Sequence, residues 1–268
     1  TGGPRPRKSL GQHFLRDAGV LADIAAAVRV PPGGVIVEIG AGTGQLTEFL
    51  LERGAPVVAV ELEARLLAHL RDRFRDHPLL TLVQADARDV DPGELSGGRP
   101  YAVAGNLPYF AANPIIRHFL ESEPKPAEMV VMVQREVGRE LAAPPGEMSL
   151  LAISVQVYAE AERLFDVRPE AFDPPPAVVS SVVRLTLRPR PLVPPERNAA
   201  FFELVARTFR NPRKQIHNAL GRGVWLPKGG AEEALDAAGI DPMRRAETLT
   251  IPEWLALLDA TDAICARA

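Results

Sequence analysis

The stretch that decides the fold is Val35-Ile-Val-Glu38-Ile-Gly40-Ala-Gly42-Thr-Gly44. Its apolar first half predicts a short buried strand, and its glycines predict a tight turn whose backbone can approach a ligand closely. A dinucleotide-binding turn needs the spacing G-x-G-x-x-G, and Gln45 breaks that pattern. The observed spacing E-x-G-x-G-x-G is instead typical of methyltransferases, which bind a nucleoside cofactor without a pyrophosphate.

Apolar strands and helices alternate along the chain after this turn. Further strands are predicted at residues 56–60, 80–83, 101–104 and 129–133, with helical patterns between them. This alternation predicts an α/β fold, a Rossmann-like class I methyltransferase domain whose parallel sheet is covered by helices on both faces. The β-branched run at residues 178–187 predicts a late, antiparallel strand.

The character of the chain changes near Arg188. Residues 188–195 contain four prolines, which remove backbone donors and predict a linker. Only helical patterns follow. We therefore predict a methyltransferase domain at residues 1–188 and a small all-helical domain at residues 197–268.

Two carboxylates follow the next strands. Glu61 ends the second strand, where it can accept hydrogen bonds from both hydroxyls of a ribose, and Asp86 follows the third, where it can accept from an adenine amino group. The alternative is a plain glycine turn with solvated carboxylates. Three strand ends that converge on one crevice disfavour this alternative and predict a nucleoside cofactor.

The tetrapeptide Asn106-Leu-Pro-Tyr109 follows the fourth strand. The Asn106 side-chain oxygen and a rigid, proline-held carbonyl can accept both N–H bonds of an adenine amine and favour the geometry needed for attack. Tyr109 offers a flat face on which a base can stack. Asn106, Pro108 and Tyr109 are therefore candidate catalytic residues, and no metal or general base is required. Related tetrapeptides serve adenine-N6 and glutamine-N5 methyltransferases, so the motif predicts a nitrogen acceptor without fixing the substrate.

Composition and charge narrow the function class. A single cysteine, Cys265, excludes a disulfide framework and a multi-cysteine metal site, and it favours a cytoplasmic location. No apolar run approaches about 18 residues, so no membrane association is expected. The net charge is −3, yet residues 184–222 carry nine basic and two acidic side chains. That stretch, with Arg5, Arg7 and Lys8, predicts either a solvated face or a surface that contacts phosphates.

Five motifs occur in order along the chain: Lys8-Ser-Leu-Gly-Gln-His-Phe-Leu15, the glycine turn, Asn106-Leu-Pro-Tyr109, Met132-Val-Gln-Arg-Glu136 and Phe172-Asp-Pro-Pro-Pro-Ala-Val-Val-Ser180. Arg213-Lys214 and Asn218-Ala-Leu220 follow in the tail. In this combination the chain resembles the ribosomal RNA adenine dimethyltransferases. The motif that ends at Leu15 and the basic tail helix favour the small-subunit branch, the KsgA family, over the macrolide-resistance methylases that act on large-subunit RNA.

The resemblance implies that the chain uses S-adenosylmethionine to dimethylate N6 of two adjacent adenosines near the 3′ end of small-subunit ribosomal RNA. It implies a monomeric cytoplasmic enzyme that acts on the small ribosomal subunit or its precursor during maturation. Carried over to this sequence, the cofactor contacts are His13, Leu15, Gly40, Gly42, Glu61, Asp86 and Asn106. Phe172 is then a second aromatic residue opposite Tyr109, although the residues alone favour an ordinary core phenylalanine. The helical domain is then expected to contact RNA through Arg210, Arg213 and Lys214.

One departure from the family pattern concerns the substrate loop. The stretch Phe110-Ala-Ala-Asn113 replaces the polar and β-branched residues that are more usual after the tyrosine. Three alternatives stay open: a large-subunit RNA methylase of the macrolide-resistance type, a catalytically silent RNA-binding assembly factor, and a glutamine-N5 protein methyltransferase.

Overall fold

The computed structural model describes residue 4, residues 12–224 and residues 226–267. The motif residues 8–11 and the basic residues Arg5 and Arg7 therefore lie outside the described residues. The described chain forms two compact units. The first comprises the residues up to Arg139 and Glu160–Leu187, and the second comprises Glu140–Ala159 and the residues from Arg188 onward.

The regular elements are as follows. The strands are β1 (Phe14–Leu15), β2 (Val35–Ile39), β3 (Val57–Glu61), β4 (Leu80–Gln84), β5 (Tyr101–Asn106), β6 (Glu128–Gln134), β7 (Ala159–Val167), β8 (Phe172–Asp173) and β9 (Ser180–Leu187). The helices are α1 (Ala18–Ala27), α2 (Gln45–Leu51), α3 (Ala64–Phe74), α4 (Pro92–Ser96), α5 (Ala112–Glu121), α6 (Arg135–Leu141), α7 (Leu150–Gln156), α8 (Asn198–Phe209), α9 (Ile216–Gly223), α10 (Gly230–Ala237) and α11 (Ile251–Cys265).

A seven-stranded sheet with the order β4-β3-β2-β5-β6-β9-β7 forms the centre of the first unit. The five strands from β4 to β6 run parallel, and β9 pairs antiparallel with β6. Every residue of β2 and β3 is buried, as expected for parallel strands covered on both faces. This architecture confirms the predicted Rossmann-like α/β class and the predicted late antiparallel strand.

Two glycines let the strand ends around the first turn come close together. A Cβ on Gly105 would lie 2.5 Å from the backbone oxygen of Ile39, so a side chain there would push β5 away from β2. Gly44 has a φ of 83°, and a Cβ on it would meet the ring of Phe74 and the side chain of Leu70 on α3. These approaches hold the glycine turn and the end of β5 beside one crevice.

A second, two-stranded sheet joins distant parts of the first unit. β1 pairs antiparallel with β8, and Phe14 faces Asp173 while Leu15 faces Phe172. The backbone N–H groups of Arg16 and Asp17 both donate to the carbonyl of Ala171. Asp17 then caps α1, because its Oδ1 accepts the Val20 N–H at 3.0 Å.

The second unit is helical apart from the first residue of β7. Trp254 is fully buried on α11 and lies 5.9 Å from the ring of Phe209 on α8. A capping box between Thr250 and Glu253 begins α11. Residues 188–194 form no regular element, in line with the predicted linker. The grouping differs from the predicted boundary in one respect, because Glu140–Ala159, which includes α7, belongs to the second unit.

Candidate active site

One cavity opens at the carboxyl ends of the parallel strands in the first unit. Its walls come from the glycine turn after β2, the end of β3, the loop after β4, the end of β5 and the start of the described chain. Of the predicted cofactor and catalytic residues, all but Phe172 line it: His13, Leu15, Gly40, Gly42, Glu61, Asp86, Asn106, Pro108 and Tyr109. The structure therefore brings the residues of two separate predicted sites into one space.

Glu61 is held in place by backbone donors from two loops. Its Oε2 accepts the Gly42 N–H and its Oε1 accepts the Glu63 N–H, both at 2.9 Å. Burial raises the pKa of Glu61, and the two N–H donors oppose that rise. Each carboxylate oxygen keeps a second lone pair, so the side chain can still accept from a pair of vicinal hydroxyls.

Glu38 lies beneath the glycine turn and is 1% exposed. Its Oε2 accepts the Thr47 hydroxyl at 2.6 Å. Burial raises the pKa of Glu38 to about 7, and the neighbouring charge of Glu61 adds to the effect. The side chain thus carries a proton for part of the time at neutral pH.

Asp86 is tied to a neighbour on its own loop. Its two carboxylate oxygens accept from the Arg88 guanidinium at 2.9 and 2.5 Å, and Oδ1 also accepts the Arg88 backbone N–H at 3.0 Å. Hydrogen bonding from the Arg88 side chain lowers the pKa of Asp86 to about 2. Arg88, which also lines the cavity, was not anticipated from the sequence.

Asn106 has a fixed amide orientation. Its Nδ2 donates to the backbone oxygen of His13 at 3.3 Å, which leaves Oδ1 as the acceptor for a substrate amine. The carbonyl of Pro108 accepts the Ala111 N–H at 2.9 Å and is thereby engaged in the turn. The carbonyl of Leu107, which belongs to the proline amide itself, accepts no hydrogen bond from the described residues. The proline-held acceptor is accordingly the Leu107 carbonyl, and Pro108 supplies its rigidity.

Tyr109 is positioned by two contacts that the sequence did not reveal. Its hydroxyl lies 2.7 Å from the hydroxyl of Ser180, a fully buried residue at the start of β9. Its ring lies nearly parallel to the His13 imidazole, with centroids 6.3 Å apart. The His13 Nδ1 in turn lies 2.8 Å from the carbonyl of Pro174. The segment from Phe172 to Ser180 thus anchors the acceptor side of the cavity.

Phe172 itself is not brought to the cavity. It is 4% exposed, pairs with Leu15, and packs in the apolar core with Leu21 and Val182. This position fits an ordinary core phenylalanine, and a role of Phe172 opposite Tyr109 stays a prediction. The motif at residues 172–180 supports the cavity through Pro174, which contacts His13, and through Ser180, which contacts Tyr109.

The basic stretch divides into paired and unpaired residues. Arg184 is largely buried on β9, within 3.6 Å of Glu128 and 3.2 Å of Glu162. In the second unit, Arg197 is paired with Asp259 and Asp262, and Arg207 with Glu203. Arg210, Arg213 and Lys214 are exposed in the turn between α8 and α9 and form no ion pair with any described residue. The unpaired positive charge is therefore smaller than the sequence count, and three of the unpaired side chains lie together at that turn.

A family model described as ribosomal RNA adenine dimethylase matches residues 3–262. This chain belongs to the ribosomal RNA adenine dimethylase family. The match confirms the family and the enzyme class that the ordered motifs predicted, and the family and fold support the use of S-adenosylmethionine.

Curated relatives match over nearly the whole chain. The ribosomal RNA small subunit methyltransferase A of Desulfitobacterium hafniense is 42% identical over 97% of this chain and 93% of its own length. The protein of the same name from Geobacter metallireducens is 40% identical over 98% of both chains.

Solved structures agree on the fold. The 23S rRNA methyltransferase ErmE is 29% identical, with a TM-score of 0.74 over 93% of this chain and 99% of its own. A dimethyladenosine transferase from Plasmodium falciparum is 23% identical, with a TM-score of 0.78 over 94% of this chain and 98% of its own.

The described residues contain neither a candidate metal site nor a candidate membrane span. No group of three or more His, Cys, Asp or Glu side chains there could hold a metal ion. None of the described helices combines the length and apolarity of a membrane span.

Proposed function

We propose that this chain transfers methyl groups from S-adenosylmethionine to N6 of two adjacent adenosines near the 3′ end of small-subunit ribosomal RNA, giving N6,N6-dimethyladenosine. The observation that carries the proposal is the single cavity in which Glu61, the glycine turn, Asn106 and Tyr109 meet. The relatives named as small-subunit methyltransferases support the choice of RNA.

The residues present fit the cofactor. Glu61 keeps free lone pairs for the ribose hydroxyls, and Gly40 and Gly42 present backbone with no Cβ at φ values of 72° and 60°. Asp86 lies at the cavity wall for the adenine amine, with Arg88 fixing its orientation. The bound cofactor supplies a methyl group on a positively charged sulfur, which drives the reaction without a metal.

The acceptor amine is positioned by two oxygens. The Oδ1 of Asn106 and the carbonyl of Leu107 accept its two N–H bonds, so that the nitrogen lone pair is directed at the methyl group. Tyr109 stacks on the base, and the Ser180 hydroxyl holds the tyrosine ring. Each transfer replaces one N–H of the amine and releases its proton. One N–H therefore remains after the first transfer, and one of the two oxygens can still accept it and orient the amine for the second transfer.

The RNA backbone is held by the turn between α8 and α9. Neutralising Arg210, Arg213 and Lys214 together should weaken binding to the subunit, and each lost phosphate contact should lower the log–log salt slope by about 0.7–0.9. Arg207→Gln is a matched control from the same stretch, because Arg207 is already paired with Glu203. An equal change of slope in the control would remove the turn from the RNA contact. Cofactor affinity should stay constant in both variants.

In this proposal the enzyme is a monomer in the cytoplasm, and its partner is the small ribosomal subunit or its precursor. A second candidate is methylation of large-subunit RNA, since ErmE is 29% identical over nearly the whole chain. Two methyl groups on N6 remove the pairing donor of adenine, so reverse transcriptase should stop at each modified base.

The test exposes unmethylated small and large subunits separately to the protein and tritiated S-adenosylmethionine. We expect paired stops near the 3′ end of small-subunit RNA. Stops in large-subunit RNA would favour the second candidate, and label on protein alone would indicate a glutamine methyltransferase. An absence of label everywhere, with subunit binding intact, would indicate a silent assembly factor.

A further inference from the structure

An exposed aromatic side chain stands at the mouth of the cavity. Phe110 is 69% exposed, although it directly follows Tyr109 and lines the cavity. Six large apolar side chains are exposed in the described part of the chain, and of these only Phe110 and Leu62 line the cavity. Leu62 follows Glu61 on the cofactor side, which leaves Phe110 alone on the acceptor side. Single exposed apolar side chains are common on protein surfaces, so the exposure of Phe110 matters only because the ring also lines the cavity on the side of the methyl acceptor.

The surroundings of Phe110 favour a nucleotide over an apolar peptide. Helix α5 begins two residues later, and no side chain caps it. The backbone N–H groups of Ala112 and Asn113 in its first turn donate to no described residue. The start of a ten-residue helix carries partial positive charge and attracts phosphate. A flat apolar ring next to such a helix end matches the two parts of a nucleotide, a base and a phosphate.

The Tyr109 hydroxyl is directed inward to Ser180, so the tyrosine serves the base inside the cavity. Phe110, the next residue in the chain, lies at the mouth of the cavity and is exposed to the solvent outside it. We propose that Phe110 is a stacking platform for the base next to the acceptor adenosine. This inference rests on the proposed function, in which the two targets are adjacent. Whichever adenosine occupies the cavity, the other is its neighbour and can stack on Phe110.

The experiment uses small subunits reconstituted with RNA that carries adenosine at one target position and either adenosine or an abasic nucleotide at the other. Transfer to the remaining adenosine is measured as kcat/KM for the subunit, at saturating S-adenosylmethionine. On the RNA with two adenosines, Phe110→Ala should lower kcat/KM by about 5- to 100-fold, the range of a base–aromatic stack. On the abasic RNA the same substitution should change it by less than about twofold. Phe110→Trp should keep the preference for an adenosine neighbour, and Phe110→Leu should lose it.

Leu62→Ala is the matched control, since it truncates the other exposed apolar side chain of the cavity. Its effect should be equal on both RNAs. Equal losses for Phe110→Ala on both RNAs would overturn the platform, as would full activity of Phe110→Leu or a weakened affinity of Phe110→Ala for S-adenosylmethionine. Failure of the unsubstituted protein to methylate RNA would instead refute the proposed function, so the two failures are distinguishable.

Discussion

The hydrogen bond between Tyr109 and Ser180 allows a quantitative test of how the acceptor base is held. A 2.7 Å bond between two neutral hydroxyls contributes about 0.5–1.5 kcal/mol, which corresponds to about 2- to 10-fold in rate if the bond serves only to fix the stacking ring. Tyr109→Phe and Ser180→Ala should each slow single-turnover methyl transfer by that factor. Cofactor affinity should be unchanged in both, because each substitution removes only a hydroxyl group whose partner is the other hydroxyl.

The assay is a double-mutant cycle at saturating cofactor and subunit. Since both substitutions remove the same contact, the double variant should be slowed by no more than about twofold beyond either single one. The thermal stabilities of the three variants should follow a different order from their rates. Ser180 is fully buried, so Tyr109→Phe leaves the Ser180 hydroxyl without a partner, at a cost of about 1–3 kcal/mol. The double variant has no such unpaired hydroxyl and should therefore unfold at a higher temperature than Tyr109→Phe. Rate losses that multiply in the double variant would refute the reasoning.

Four further predictions concern single residues. Glu61→Ala should weaken S-adenosylmethionine binding by about 10- to 100-fold in calorimetry while circular dichroism stays unchanged, and unaltered affinity would remove Glu61 from the site. Asn106→Ala should slow single-turnover transfer by about 10²–10³ with a smaller effect on cofactor affinity, a split that a near-normal rate would contradict. Burial raises the pKa of Glu38 to about 7 from its ordinary value of 4.5, so the folded state holds an extra proton between these pH values and this group makes the free energy of unfolding fall as pH rises through them. In Glu38→Gln, unfolding measured from pH 5 to 8 should lose this pH dependence, which amounts to at most about 3 kcal/mol in total. Gly105→Ala should destabilise the protein by at least about 2 kcal/mol in denaturant unfolding, because its Cβ would lie 2.5 Å from a backbone oxygen, and a neutral effect would show that β5 can shift freely.

The parallel part of the sheet was predictable because fully buried strands appear as continuous apolar runs between turn signals. The strands predicted at residues 56–60, 80–83, 101–104 and 129–133 all occur, each within about two residues of the predicted bounds. β7 was missed because it lies at the edge of the sheet, where charged residues such as Glu162 and Arg163 occupy its exposed positions and hide the alternation. β1 and β8 were missed because two-residue strands leave no periodic signal, and their pairing joins segments far apart in sequence.

The site was predictable where a residue type and its strand-end position both carry chemistry. Glu61 and Asn106 satisfy that condition, and they line the same cavity. Ser180 could not be found this way, since a hydroxyl at the start of a strand has many ordinary uses and only the three-dimensional register brings it to Tyr109. Phe172 shows the reverse case, because its motif is informative while its own side chain lies in the core.

The pairing of β1 with β8 also fixes the order in which the site can be completed during synthesis. A chain leaves the ribosome from its N-terminus, and all five parallel strands are available once residue 134 has emerged. The contact between His13 and the Pro174 carbonyl, however, cannot form until a residue 161 positions further along has emerged. The hydrogen bond between Tyr109 and Ser180 likewise cannot form until Ser180 has emerged. The cofactor side can therefore form on a nascent chain well before the acceptor side. A chain interrupted near residue 170 would have every predicted cofactor ligand, but its Tyr109 would lack the Ser180 hydroxyl and its His13 would lack the Pro174 carbonyl.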